Sequence, residues 1–295
     1  MNPYRSYLFV PAHKAGWAAK GANAGADALI LDLEDAVPPD AKAQAREMIP
    51  QAIAEARAIK RDIGIVVRVN HWSAAEAALD YDTVVRYQVD AVMVPKIERA
   101  VELERIDALL EYAERLAGRA TPIEVVATLE TARGVVERDA IARAPRVGAV
   151  LASTARGADI ARSVGFTWTP GGTETLYLRS GVVLAARAVP NCHPIVGLWQ
   201  EIKDLEGLEA HARANRGLGF LGEVLIHPSH IETVNRVYSP DEAQVQYYRA
   251  LIAAYEEAVS DGRGAAVYEG EHIDLAHVAT AREFVAFAER ITAGA

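Results

Sequence analysis

The chain is poor in the features that would place it in several large functional classes. It has one cysteine, Cys192, among 295 residues. No internal disulfide can form, which fits a reducing cytoplasm, and the thiol reads as a small packing residue. No apolar run reaches the roughly 18 residues of a membrane span. The opening MNPYRSYLFVPAH lacks a long apolar stretch and runs straight into a strand pattern, so neither a signal peptide nor a membrane segment is expected. Basic residues are in deficit, with 31 Lys and Arg against 40 Asp and Glu and a net charge of −9. Without a basic stripe, nucleic acid is excluded as a partner, and anionic membranes are disfavoured. No His/Cys cluster has zinc spacing. The first strand-like run is followed by VPAHKAGW, not by a glycine-rich phosphate turn, which argues against a doubly wound dinucleotide fold.

Hydrophobic residues, at 51%, suffice for a large core. Strand-like runs at 6–12, 27–34, 64–70, 91–97, 123–131, 147–154, 194–199 and 223–228 alternate with helix patterns, clearest at 40–60 and 99–117. Runs such as ALILDL, IGIVVRV and VGAVLA are continuously apolar, as strands covered on both faces by helices are. Eight such alternations predict a (β/α)₈ TIM barrel over 1–240. Two further helices, 241–260 and 272–293, are joined by the glycine-rich DGRGAAVYEGE, read as a mobile linker. They form a C-terminal extension, 241–295, expected to cap the barrel or pack on an adjacent subunit.

A barrel of this kind builds its site at the C-terminal ends of its strands. Polar residues gather there: Glu34 and Asp35, Arg68 and Asn70, Lys96, Glu130, Arg156 and Asp159, and His227. Glu130 and Asp159 suit a hard cation such as Mg²⁺, or salt bridges to neighbouring arginines. Glu34 and Asp35 suit either a metal's water shell or the capping of the following helix. Arg68, inside the apolar VVRVN, needs an anion, supplied by a substrate carboxylate or enolate oxygen or by a buried ion pair. Lys96 reads as an ion-paired or solvated lysine before a Schiff-base one. His227 reads as a general base or as a structural hydrogen-bonding residue.

The segments RSYLFVPA, LILDLEDAVPPDAKAQAR, VVRVN, VPK, TLETARG, LRSGVVLAARA, GFLGEVLIHPSHIETVN and HIDLAHVATAR occur in the order found in the citrate lyase β-subunit-like (HpcH/HpaI aldolase/citrate lyase) family. That family includes malyl-CoA and citramalyl-CoA lyases, and the resemblance covers residues 5 to about 293. It implies a modified (β/α)₈ barrel, Mg²⁺, and a homotrimer or dimer of trimers. It implies Glu130 and Asp159 as metal ligands, Arg68 at the carbonyl or enolate oxygen, and Glu34 and Asp35 around the metal's waters. Asp274, in the HID segment of the last helix, corresponds to an acid/base aspartate that such lyases take from an adjacent subunit. The implied reaction cleaves or forms a 3-hydroxyacyl thioester, giving a keto acid and an acyl thioester.

The chain departs from the family pattern mainly on the side that holds the thioester carrier. Gly16 stands where an arginine is expected, leaving Lys14, Lys20 and Lys96 as candidate substrate-binding cations. Arg156 replaces a glycine, Val196 an aspartate and Glu223 a lysine. Coenzyme A and an acyl-carrier protein both stay open as carriers. So do a pyruvate-type aldolase without thioester and a non-catalytic acyl-thioester-binding relative.

Overall fold

A computed structural model describes residues 3–293; Met1, Asn2, Gly294 and Ala295, included in the two expected segments, lie outside the described residues. The chain divides into two compact units, Met1–Tyr238 and Ser239–Ala295.

In the first unit β1 (Ser6–Pro11), α1 (Trp17–Asn23), β2 (Ala28–Asp32), α2 (Lys42–Ile59), β3 (Gly64–Arg68), α3 (Ala77–Val85), β4 (Ala91–Val94) and α4 (Ala100–Ala117) follow in turn. Then come β5 (Glu124–Leu129), the short α5 (Ala132–Val136) and α6 (Arg138–Ala142), β6 (Val147–Ser153), α7 (Asp159–Val164) and α8 (Leu176–Arg187). β7 (His193–Gly197), α9 (Leu205–Leu218), β8 (Gly222–Leu225) and α10 (Ile231–Tyr238) complete it. The eight strands close into a parallel barrel, with Tyr7 of β1 paired to Val224 of β8. The predicted (β/α)₈ architecture is therefore the observed one.

Strand alternation sends side chains to two distinct cores. Tyr7, Ile30, Val66, Met93, Val126, Leu151, Ile195 and Val224 fill the barrel interior. Leu8, Leu29, Leu31, Ile65, Val67 and Val92 point outward into the larger core shared with the helices. Helix α4 shows why the helices stay there. Leu103, Ile106 and Leu110 form one buried stripe, and Gly118, at φ 67°, ends the helix in a conformation that a Cβ would strain. Each such buried aliphatic side chain contributes about 1.5–3 kcal/mol.

The second unit holds α11 (Glu242–Ser260), β9 (Ala266–Tyr268), β10 (Glu271–Ile273) and α12 (Leu275–Ala293). The glycine-rich stretch read as a mobile linker contains an antiparallel hairpin, turned at Glu269-Gly270 where both φ values are positive. His272 belongs to that hairpin, so the last helix starts at Leu275. No described helix is long and apolar enough to cross a membrane.

Glu223 points outward from β8 and is fully buried. Its Oε1 accepts from Asn215 Nδ2 and Tyr238 Oη, both at 3.1 Å, while Oε2 has no hydrogen-bond partner. Burial raises its carboxyl from 4.5 to about 7, although Asn215, Tyr238 and the nearby Arg179 all favour the charged form. A carboxyl raised in the folded state binds its proton more tightly there than in the unfolded chain, so stability falls as pH climbs from about 4.5 to about 7. The difference corresponds to on the order of 3 kcal/mol. Glu223→Gln is therefore expected to raise the Tm at pH 8 and to change it little at pH 4.5. Equal shifts at both pH values would show that Glu223 titrates normally.

Candidate functional site

The alternation that fills the barrel with Ile30, Val66 and Val126 changes from apolar to polar at the C-terminal end. Two residues further along the same strands lie Asp32, Arg68 and Thr128, followed by Glu34 and Glu130. This mouth holds a cavity of about 330 Å³ lined by Phe9, Asp35, Arg68, Glu130, Ser153 and Asp159, with Met93, Thr128, Leu151 and Val224 also among its walls.

Arg68 is fixed from two sides. Its Nε and Nη2 donate to the two oxygens of Asp32, at 2.8 and 2.6 Å, and Asp32 has no solvent exposure. Its Nη1 lies 3.0 Å from Glu34 Oε2, and the guanidinium sits 4.5 Å over the Phe9 ring. Both sequence readings of Arg68 thus have a counterpart: a buried carboxylate partner and a place on the cavity wall.

Lys96 follows β4 with φ 54°, a left-handed conformation uncommon outside glycine. Its ammonium lies 3.0 Å from Glu34 Oε1, 3.1 Å from Asp159 Oδ2 and 3.6 Å from Asp35 Oδ2. Burial alone would lower its pKa, yet the facing Glu34, Asp159 and Asp35 raise it. The ammonium is thus engaged by carboxylates, as the ion-paired reading has it. Glu130 accepts from the Lys96 backbone N–H at 3.2 Å. Its carboxyl is pushed up to about 7, first by burial and then by the charge of Glu34, against the pull of Arg68 and Lys96. Asp159 opens α7 and also pairs with the exposed Arg162.

Three other candidates of the first unit, Lys14, Lys20 and His227, are not among the residues that line this cavity. Lys14 and Lys20 are exposed and do not line the cavity. His227 accepts from Ser229 N at 3.2 Å and so caps the turn at Pro228–His230, which is its structural reading. Asp274 belongs to the second unit and lies just before α12, not within it. Its Oδ1 accepts from Ala276 N at 3.0 Å and meets His277 Nδ1 at 2.6 Å, which lowers its pKa.

The four departures also find their places. Gly16 takes φ 73° with no side-chain cap ahead of α1, a turn that favours glycine over arginine. Arg156 extends over Trp168 and pairs with Glu201 at 2.7 Å, while its neighbours Ala155 and Gly157 line the cavity. Val196 is buried in the outer core, and Glu223 lies in the polar cluster described above.

Among the described residues no group of three or more His, Cys, Asp or Glu side chains is arranged to hold a metal as the molecule stands. The donor chemistry nevertheless fits a hard divalent cation. Glu34, Asp35, Glu130 and Asp159 offer only oxygens, in excess over the cations facing them. Glu34 Oε2 is buried without a hydrogen bond, its Arg68 contact being off-angle, and Glu130 holds its proton far above the usual carboxylate range. A positive charge at that point would relieve both.

Sequence reasoning missed Asp32, Phe9, Thr128 and Ser153. Asp32 had a usable signal, because it lies two residues before Glu34 and so on the same face of the chain, whereas its register with Arg68 across the β2–β3 ladder is visible only in the structure. Thr128 stands in the same relation to Glu130.

Comparison with known proteins agrees with the motif resemblance. Residues 5–228 match the HpcH/HpaI aldolase/citrate lyase family. A (3S)-malyl-CoA thioesterase of Cereibacter sphaeroides is 34% identical over 298 positions, covering 99% of this chain and 97% of that protein. An L-malyl-CoA/beta-methylmalyl-CoA lyase of the same species is 33% identical over 312 positions, covering 99% and 96%. Among solved structures, CitE of Mycobacterium tuberculosis in complex with magnesium, acetoacetate and coenzyme A has a TM-score of 0.73 at 28% identity, covering 97% of this chain and 98% of that one. By sequence and by fold, the chain belongs to the HpcH/HpaI aldolase/citrate lyase family, and its class of enzyme is that of the carbon–carbon lyases.

Proposed function

We propose that the chain is a Mg²⁺-dependent lyase that cleaves, or forms by Claisen condensation, a 3-hydroxyacyl thioester such as malyl-, citramalyl- or citryl-CoA. The observation that carries this reading is the convergence of Asp35, Glu130, Asp159 and Arg68 on one cavity at the barrel mouth. Relatives named for malyl-CoA, and a structural neighbour holding magnesium and coenzyme A, support it. CoA is the carrier we assign, with an acyl-carrier protein as the variant to test.

In the cleavage direction the 3-hydroxyl gives up its proton and the C2–C3 bond breaks. The hydroxyl carbon becomes the carbonyl of a keto acid or glyoxylate. The electron pair stays on C2 as the enolate of the thioester, which then takes a proton to give the acyl thioester. Glu130 and Asp159 would hold a divalent metal, which when bound would supply Lewis-acid charge to the oxygens of the acid half. Arg68, pinned by Asp32, presents a guanidinium that needs no reorganisation where negative charge develops. Glu34 and Asp35 would orient waters on such a metal, and the apolar walls of Met93, Leu151 and Val224 keep bulk water from the enolate.

Asp274 is assigned the proton transfer, delivered to the mouth of a neighbouring subunit in a homotrimer or dimer of trimers. Asp274→Asn keeps a side-chain acceptor for the N-terminus of α12. It is expected to leave Mg²⁺ binding intact and to slow turnover by about 10²-fold or more. Unchanged turnover would remove Asp274 from the mechanism.

A second reading, thioester hydrolysis, is favoured by the (3S)-malyl-CoA thioesterases that match this chain at 34% identity. The products separate the two. With Mg²⁺ and malyl-CoA, a lyase yields glyoxylate and acetyl-CoA without a free thiol, whereas a thioesterase yields malate and one free CoA thiol per turnover. Glyoxylate without thiol is the expected result. Thiol without glyoxylate would replace the lyase assignment with hydrolysis.

A further inference from the structure

We infer that Lys96 is a built-in counter-cation of the acidic cluster and sets its affinity for a divalent metal by competing for the same carboxylates. This inference rests on the metal-dependent reading above and concerns a residue that reading leaves unassigned.

One residue here touches acids from the ends of three strands. The Lys96 ammonium meets Glu34 after β2 at 3.0 Å and Asp159 after β6 at 3.1 Å, while its backbone N–H holds Glu130 after β5 at 3.2 Å. Asp35 Oδ2 lies 3.6 Å away. The left-handed backbone at φ 54° lets the N–H face Glu130 while the side chain turns toward Glu34 and Asp159. Lys96 thus joins both proposed metal ligands, one by its backbone and one by its charge.

Two consequences of removing the ammonium point the same way. A divalent ion gripping Asp159 no longer has to take the Oδ2 oxygen from a competing cation 3.1 Å away or approach against that cation's charge. Glu34, Asp35 and Asp159 lose the cation they share, so they repel one another and the metal-free state becomes less favourable. Tighter metal binding follows from both. Arg162 also contacts Asp159, but its side chain is 75% exposed and water screens it. It serves as the internal control.

The test is Mg²⁺ titration calorimetry on the full chain after chelator treatment, with melting curves in chelator and in Mg²⁺. Lys96→Met is expected to lower the Mg²⁺ Kd by about tenfold or more, to melt earlier than the parent in chelator, and to gain more from Mg²⁺. Lys96→Gln, similar in length and uncharged, should do the same and carries the test if the methionine variant fails to fold. Arg162→Met should change the Kd by less than about twofold. If the parent binds Mg²⁺ and both Lys96 variants bind it equally or more weakly, the lysine does not compete and the inference is overturned. If neither the parent nor the variants bind Mg²⁺, the metal-dependent reading itself fails, and the inference falls with it.

Discussion

Glu130→Gln is expected to reduce turnover by on the order of 10³-fold and to abolish the Mg²⁺-dependent rise in Tm. The substitution preserves shape, and its amide oxygen still accepts from the Lys96 backbone N–H, so the loop after β4 stays in place. What is lost is the charge of one of two proposed metal ligands, and with it several kcal/mol of transition-state stabilisation at the developing oxyanions. The fold is not expected to suffer, because burial and Glu34 already oppose that charge in the metal-free protein. Steady-state kinetics and melting curves with and without Mg²⁺ check both halves. A variant that keeps near-parental turnover, or keeps its Mg²⁺-induced stabilisation, would remove Glu130 from the metal site.

Arg68→Met is expected to act on stability and catalysis together. Asp32 is fully buried, and its only hydrogen-bonded cation among the described residues is the guanidinium that grips both its oxygens. Removing one member of such a pair costs about 3–5 kcal/mol, because it strands a buried charge. Turnover should also fall by about 10²–10³-fold through loss of a fixed cation on the cavity wall. The double variant Arg68→Met with Asp32→Asn separates the two effects. Stability should recover, since the stranded charge is gone, while turnover stays low. Recovery of turnover in the double variant would make Arg68 a structural residue only.

The eight strands could be read from the chain because strands buried on both faces must be continuously apolar, as ALILD and AVMV are. Their ends were harder to place. The β2 run was read to Glu34 and the β4 run to Ile97, but the observed strands stop at Asp32 and Val94. Beyond those ends Leu33 and Ile97 still pack in the outer core, while Glu34 and Lys96 meet each other at 3.0 Å, and no apolar pattern marks where each strand stops. The hairpin Ala266–Tyr268 with Glu271–Ile273 was hidden for a different reason, since three-residue strands beside glycines carry no readable period. Within the site, the positions of Glu130, Asp159 and Arg68 followed from the rule that barrel chemistry sits at strand C-termini. The pairing of Arg68 with Asp32 did not, because it depends on register between two strands, which composition does not reveal. Nor did the place of Lys96, whose left-handed backbone at an ordinary VPK sequence has no local signal.

The central claim is that Glu130 and Asp159 grip one divalent ion beside Arg68. Its most direct test is anomalous scattering from a crystal soaked with Mn²⁺ and glyoxylate or oxaloacetate. The account predicts a single strong peak in the barrel mouth, about 2.0–2.3 Å from a carboxylate oxygen of each acid, with the keto acid reaching from the ion toward the guanidinium. A peak elsewhere, or no peak at saturating Mn²⁺, would contradict it.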